Sequence, residues 1–334
     1  MGVNRPQRVL VTPRHVATIV PERQAELTAA GVELIFPPMP RPSLTEGELL
    51  AALSGCVAAI AMPDAYTARV LAACAPPLRL IARSGVGYDS IDLPAATDRG
   101  VWVTTTVGSN HDAVADFTLG LILCLVRRLV ETAVQTRAGG WQRMQGRDLR
   151  GKTLGVVGTG RVGREVATRA QAFGMTIVAY DLYPDTAWAA AHGVRYVDLP
   201  ALLAECDVVT LHAPATAQTR HLLNRQTLAQ CKTGCYVVNT ARGELVDEAA
   251  LYEALENGHV AGAALDVFAE EPPANRRLVE HPRVLPFSHS AGGTVEAHTR
   301  SAHLAIDEVL RVLRGERPRF PVNEVMPAPN PAIL

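Results

Sequence analysis

The chain has almost no excess charge of either sign: across 334 residues, 32 Lys plus Arg stand against 33 Asp plus Glu, a formal net charge of −1. A near-neutral protein has no bulk electrostatic reason to seek nucleic acid or an anionic membrane, so neither partner is expected. Long apolar runs are missing too. The longest uncharged apolar stretch, Phe117 to Val126, is about half of the roughly 20 residues that a bilayer span needs. The opening MGVNRPQRVLVT has no charged-then-apolar leader, and Pro6 stands where a myristoylation site needs Ser or Thr; no secretory signal or lipid anchor is expected. The cysteines (Cys56, Cys74, Cys124, Cys206, Cys231 and Cys235) form no CxxC pair and no Cys/His cluster with zinc-ligand spacing. That pattern predicts no metal and no disulfide, only thiols in a reducing cytoplasm. Apolar residues make up 48% and charged residues 19% of the chain. This suits large cores rather than disorder, and the length suits about two domains.

Strand-like and helix-like segments alternate from end to end, the signature of parallel α/β sheets. The first series of strands is expected at Arg8–Thr12, Val32–Phe36, Ala58–Met62, Leu78–Ser84 and Val101–Thr106, with Asp64 as an N-cap for the helix after the third. One long helical pattern then runs from Asn110 to Ala138 and stops at Gly139-Gly140. A second series follows at Thr153–Gly158, Thr176–Asp181, Asp207–His212, Cys235–Thr240, Ala261–Val267 and Arg283–His289, and a last helix from Thr294 to Arg314 precedes a Pro-rich tail. The fold class is therefore α/β, with two doubly wound parallel-sheet units.

The second series opens with a dinucleotide signal. Gly158-Thr-Gly160-Arg-Val-Gly163 follows the apolar strand LGVV and leads into a helical pattern. Gly158 permits the tight turn, Gly160 lets backbone approach a pyrophosphate, and Gly163 lets helix and strand pack closely. The amides of Arg161 and Val162 would meet the phosphates at a positive helix end. The next strand, TIVAY, ends in Asp181. An acid there accepts from the ribose hydroxyls and repels a 2′-phosphate, which predicts NAD rather than NADP.

Hydride transfer to a 2-oxo acid further requires donors for the carboxylate, polarisation of the carbonyl and a proton source. Such groups belong at the carboxyl ends of the later strands. CYVVNT ends in Ala241-Arg242-Gly243, AGAALDV runs into Phe268-Ala-Glu270-Glu271-Pro272, and RVLPFS ends in His289-Ser-Ala-Gly-Gly-Thr294. Arg can grip a carboxylate with two parallel bonds, and Glu beside His raises the imidazole pKa and orients the ring. Each residue alone reads as an ordinary ion pair or a satisfied histidine. Their succession on three strand ends downstream of a dinucleotide loop is what points to catalysis.

These segments resemble the D-isomer-specific 2-hydroxyacid dehydrogenases over nearly the whole chain, as do RSGVGYDSID at 83–92, LRGKTLGVVGTGRVG at 149–163 and LHAPAT at 211–216. The resemblance implies a Rossmann NAD-binding domain at 108–295 and a flavodoxin-like substrate domain from 1–107 with 296–334. It implies Arg242 on the carboxylate and carbonyl, His289 as acid/base and Glu271, rather than Glu270, as its partner. Gly85, Val86, Gly87 and Asn110 would contact substrate. His212, Pro214, Thr219, Thr240, Ala241, Asp266 and Gly292 would line the cofactor, with Asp266 near the nicotinamide carboxamide. A homodimer through the long helix and the Trp141 region is implied as well.

The chain departs from the family pattern at several points. Asp116 replaces a usual Glu, TTTVG at 104–108 replaces an Asn-Thr-Pro-Gly run, and Pro63-Asp64 stands where phosphoglycerate-type members carry Arg-Ser. Arg41, in the loop after the second strand, could still reach a distal anion. Two substrate readings stay open: a small 2-oxo acid, or one with a second anionic group such as a phosphate or phosphonate. A different class, an NAD(H)-sensing corepressor-like protein, shares the fold and motifs.

Overall fold

Residues 6–39 and 43–325 are described by a computed structural model, and they fall into two units. One holds the described residues up to Asn110 together with those from Gly293 onward, and the other is His111–Gly292.

The first unit is a parallel five-stranded sheet of β1 (Gln7–Val11), β2 (Val32–Ile35), β3 (Cys56–Ala61), β4 (Leu80–Arg83) and β5 (Trp102–Thr105), in the order β2-β1-β3-β4-β5. Successive strand residues point to opposite faces, and here both faces are apolar. Val9, Val11, Ala58, Ile60, Leu80 and Ala82 form one core, while Leu10, Ala59, Ala61, Ile81 and Val103 belong to another. Parallel sheets with both faces covered need such strands.

The helix Val295–Leu313 closes the first of these faces with Ala302, Ala305, Ile306 and Val309. That i, i+3, i+4, i+7 spacing is one helical stripe. Thr294 caps its start by accepting from Ala297 N, and Gly315, at φ +84°, follows its end. Each fully buried Val, Leu or Ile stabilises the unit by about 1.5–3 kcal/mol.

The second unit is a seven-stranded sheet of β6 (Thr153–Val157), β7 (Thr176–Tyr180), β8 (Arg195–Tyr196), β9 (Val208–Leu211), β10 (Cys235–Asn239), β11 (Val260–Leu265) and β12 (Val284–Pro286). All pairings are parallel, in the order β12-β11-β10-β9-β6-β7-β8. The chain turns from one half of the sheet to the other between β6 and β9. The crevice beyond their carboxyl ends is where doubly wound sheets hold ligands.

The structure corrects three local expectations. The single helix from Asn110 to Ala138 is two helices, His111–Arg127 and Leu129–Arg137, because Arg128 takes a left-handed conformation at φ 53°. The Val126 carbonyl, near the break, accepts from Arg147 N at 2.8 Å, and a Cβ on Gly146 would stand 2.8 Å from that carbonyl and from Arg127 Cα. A returning segment thus occupies the space that a continuous helix would need. Thr67, not Asp64, caps the helix after β3; Asp64 is fully buried and accepts from Thr12 Oγ1 at 2.5 Å and Leu44 N at 2.9 Å. Finally, β8 is a seventh strand that periodicity missed, since two residues show no alternation.

Candidate active site

Three strand ends of the second unit converge through backbone contacts that leave little choice of residue. Beyond β10, the Asn239 side chain accepts from Ala241 N at 3.0 Å and donates to Arg242 O at 2.8 Å, which folds the turn that presents Arg242. At Gly243, a Cβ would stand 1.9 Å from the carbonyl carbon of Phe268. Only glycine lets this turn lie against the segment that carries Glu271.

Beyond β12, His289 sits at φ 53°, a conformation that costs a non-glycine residue about 1–3 kcal/mol. Three bonds to Asp266 hold it there. His289 N donates to the Asp266 carbonyl at 2.8 Å, while Ser290 N and Ala291 N donate to the two carboxylate oxygens at 2.7 and 2.9 Å. Bonds to a charged acceptor are worth about 1.5–3 kcal/mol each, enough to offset the strain.

His289 Nδ1 lies 2.8 Å from Glu271 Oε2. A carboxylate can only accept, so Nδ1 carries the proton of this bond and Nε2 is turned to other business; among the described residues it makes no hydrogen bond. The Glu271 hydrogen bond, followed by the Glu271 and Asp266 charges, raises the His289 pKa above its ordinary value against burial and the Arg242 charge. Burial works against ionisation of Glu271, but His289, the Phe268 amide and Arg242 outweigh it and hold the carboxyl below its usual range. Arg242, whose Nη1 donates to Ala241 O at 2.6 Å, is thus felt by both members of the pair. A cationic fork beside a proton-bearing imidazole can bind a carboxylate and protonate an adjacent oxygen. Glu270 takes no part in this arrangement.

At the opposite end of the same crevice, the glycine loop after β6 fits a dinucleotide. A Cβ on Gly163 would stand 2.0 Å from Gly158 O, and one on Gly158 (φ 93°) 2.7 Å from Ala213 N; at Gly160 no protein atom lies within 4 Å. Two glycines are therefore required by packing, and the third faces open space. The helix Arg161–Ala172 makes its first internal bond from Arg164 N to Gly160 O. The preceding amides, Arg161, Val162 and Gly163, are the donors a pyrophosphate would meet.

Asp181 accepts from Thr159 N at 2.6 Å, Thr159 Oγ1 at 2.8 Å and Tyr183 N at 2.9 Å. Burial opposes its ionisation, but these bonds hold its pKa below the ordinary value. The carboxylate keeps lone pairs on Oδ1 for ribose hydroxyls. His212 Nδ1 is buried with no partner while Nε2 meets Thr210 Oγ1 at 2.9 Å; burial draws the imidazole down to about 3, so it is neutral. An orphaned polar atom in this crevice is one a ligand can satisfy.

Other residues expected to line the cofactor act as structural braces. Buried Thr219 ties its loop by donating to Pro214 O at 2.6 Å and accepting from Thr216 N at 2.8 Å. Thr240 Oγ1 lies 2.9 Å from Thr118 Oγ1 on the helix His111–Arg127. Gly292 ends the unit. Asp266, expected near the carboxamide, spends both carboxylate oxygens on the His289 loop. His111, Asp112 and Glu165 are grouped closely enough for a metal, but Arg169 already pairs with Asp112 at 3.1 Å, Asp116 at 2.6 Å and Glu165 at 2.5 Å.

In the first unit, the loop after β4 presents Val86 and Gly87, whose amides donate to no acceptor among the described residues. The Gly85 amide is turned inward to Thr106 Oγ1 and Arg83 O, both at 2.9 Å, which shapes the loop. Asn110 is the last residue of this unit before the chain passes into the second. Arg41 lies outside the described residues.

Sequence reasoning missed Asn239, Thr159 and Tyr196. Tyr196 stands on the overlooked β8, and its hydroxyl lies 2.7 Å from the Thr159 hydroxyl that donates to Asp181. Asn239 had a signal, a polar residue closing the apolar run CYVVN; Tyr196 had none.

Comparison with known proteins agrees with this geometry. Residues 119–291 match the family model described as D-isomer specific 2-hydroxyacid dehydrogenase, NAD binding domain. A glyoxylate reductase of Thermofilum pendens is 42% identical over 273 residues, covering 79% of this chain and 80% of that protein. Human D-3-phosphoglycerate dehydrogenase is 40% identical over 278 residues, 83% of this chain. The chain spans about half, 52%, of the length of such phosphoglycerate dehydrogenases. The TT0316 protein of Thermus thermophilus superimposes with a TM-score of 0.83 at 39% identity, covering 95% of this chain and all of that one. The two parallel sheets, the glycine loop and the Arg–Glu–His strand ends are thus those of a member of the D-isomer specific 2-hydroxyacid dehydrogenase family, with residues 119–291 its NAD binding domain.

Proposed function

We propose that the protein is an NAD-dependent D-2-hydroxyacid dehydrogenase that works as a reductase of small 2-oxo acids. The observation that carries this reading is the 2.8 Å bond between His289 Nδ1 and Glu271, with Arg242 beside it. When bound, NADH supplies the hydride that arrives at C2. Arg242 grips the substrate carboxylate and draws charge toward the carbonyl oxygen. His289 Nε2 donates the proton that the new alkoxide needs, and Glu271 stabilises the imidazolium before transfer and holds the ring in place. Asp266 keeps His289 in its left-handed conformation. In the first unit, the Val86 and Gly87 amides are donors for a substrate anion.

The test is NADH oxidation across glyoxylate, pyruvate, hydroxypyruvate, branched and aromatic 2-oxo acids, phosphohydroxypyruvate and phosphonopyruvate. Turnover of at least one of them is expected; none, with NADH still bound, would overturn the reading in favour of a sensing protein. A phosphoglycerate dehydrogenase-like specificity is the second reading, favoured by the 40% identity to the human enzyme.

Asp181 underlies the choice of NAD. Asp181→Ala removes the ribose acceptor and the repulsion of a 2′-phosphate. The ratio of kcat/KM for NADH over NADPH should fall about tenfold or more, the scale of one charge-assisted bond. An unchanged ratio would refute this assignment.

Further, we read the protein as a homodimer. The helix Leu129–Arg137 has no buried residue, and Leu129, Val130, Val134 and the 87%-exposed Trp141 leave a large apolar surface uncovered. Such surfaces mark interaction sites. Trp141→Glu should convert a dimer to a monomer in light scattering; a monomeric parent protein would sink the proposal. Among the described residues no helix is long and apolar enough to cross a membrane.

A further inference from the structure

Behind the Val86–Gly87 loop lies a cluster that the proposed reaction does not use. His15 follows the carboxyl end of β1, and in the order β2-β1-β3-β4-β5 the chain switches direction between β1 and β3. The crevice at such a switch point is where an open α/β sheet takes its ligand. The His15 ring stacks on that of His298, with centroids 4.4 Å apart and planes within 8°. His298 stands in the first turns of the helix Val295–Leu313. His15 Nε2 meets Ser84 Oγ at 2.9 Å, which connects the stack to the residue just before the loop. Ser84 is itself set by Ser301 Oγ at 2.6 Å, and Ser301 by Thr106 Oγ1 at 3.1 Å. A buried hydroxyl chain therefore links the pair to the loop.

No carboxylate bonds to either imidazole among the described residues, and neither ring nitrogen of His298 has a hydrogen-bond partner there. Burial, then His298 and Arg83, drive the His15 pKa down to about 4, so this ring is neutral. A ligand anion beside the stack would meet a hydrogen-bond donor in the unpartnered His298 ring.

We propose that His15 and His298 form a subsite for an anionic substituent on C3 of the 2-oxo acid, a carboxylate or a phosphate, beside the loop whose amides the reductase reading gives to a substrate anion. This rests on the reductase reading and deepens it. The pair determines specificity: His298 contacts the anion, and His15 positions His298 by stacking and anchors it to Ser84. A methyl substituent, as in pyruvate, leaves the subsite unfilled.

The experiment measures kcat and KM with NADH for oxaloacetate, phosphohydroxypyruvate and pyruvate, using the full chain and the variants His298→Gln and His15→Gln. In the parent protein one of the two anionic substrates should exceed pyruvate in kcat/KM by about tenfold or more, and which one it is distinguishes carboxylate from phosphate. His298→Gln should collapse that ratio by about tenfold, mainly through KM. His15→Gln should shift it in the same direction, with melting temperature confirming that both variants fold. A ratio unchanged in both variants, an equal loss on all three substrates, or a parent protein that prefers pyruvate overturns the subsite. Failure of the parent protein to reduce any 2-oxo acid, with NADH bound, is the separate signature that the reductase reading itself has failed, and the inference with it.

Discussion

His289→Gln should lower kcat for 2-oxo acid reduction by about 10²–10⁴-fold, the contribution of a positioned general acid, while NADH quenches protein fluorescence as in the parent. The glutamine amide can still bond Glu271, so the loop keeps its shape, but it cannot release a proton to an alkoxide. Loss of NADH binding instead would assign His289 a structural role.

The pH profile supplies a second readout with a definite sign. Glu271 raises the His289 pKa, so the acid form persists at and above the ordinary histidine range. The reductive rate is full below that raised pKa and falls as pH rises through it. Glu271→Gln removes the carboxylate charge that raises the pKa and should move that falling limb to lower pH. A limb that stays in place would mean that another group titrates. The opposite direction, oxidation of the 2-hydroxy acid, needs the base form and should rise where the reductive rate falls.

The second large effect is expected at Arg242. Arg242→Ala should lower kcat/KM by about 10²–10³-fold, the scale of removing one donor from a developing oxyanion, with KM rising as the carboxylate loses its grip. Arg242→Lys should recover only part of the loss, because a point charge cannot reproduce two parallel bonds from a planar fork. Near-parental kinetics in the alanine variant would remove Arg242 from the mechanism. The charge of Arg242 also opposes the protonation of His289. The alanine variant should therefore show its falling pH limb at higher pH than the parent, a shift that simple misfolding would not produce.

Much of this arrangement is local enough to be read from the chain. The glycine loop is a spacing rule: Gly158 and Gly163 are demanded by backbone atoms 2.7 and 2.0 Å from where a side chain would begin, and no other residue meets that demand. Asp181, Arg242, Glu271 and His289 are legible because each is a polar residue at or just beyond the end of an apolar strand, and strand ends are the ligand-facing edge of a parallel sheet. Apolar runs likewise mark most strands of both sheets, since the central strands are buried on two faces.

Tertiary structure alone decides the features that depend on what arrives from elsewhere in the chain. The break at Arg128 exists because residues 146–147 pack against the helix end, and the periodicity of 110–138 carries no trace of them. Asp64 reads as a helix cap by its neighbours but is drawn inside by Thr12, some fifty positions away. Gly85 loses its donor to Thr106, and His15 finds His298 across almost the entire sequence. A hydrogen bond or a ring stack needs atoms within a few ångströms, and only the folded chain brings distant residues that close. Strand-end chemistry is thus a property of the sequence, whereas the donors left free and the imidazoles left without an anion are properties of the fold.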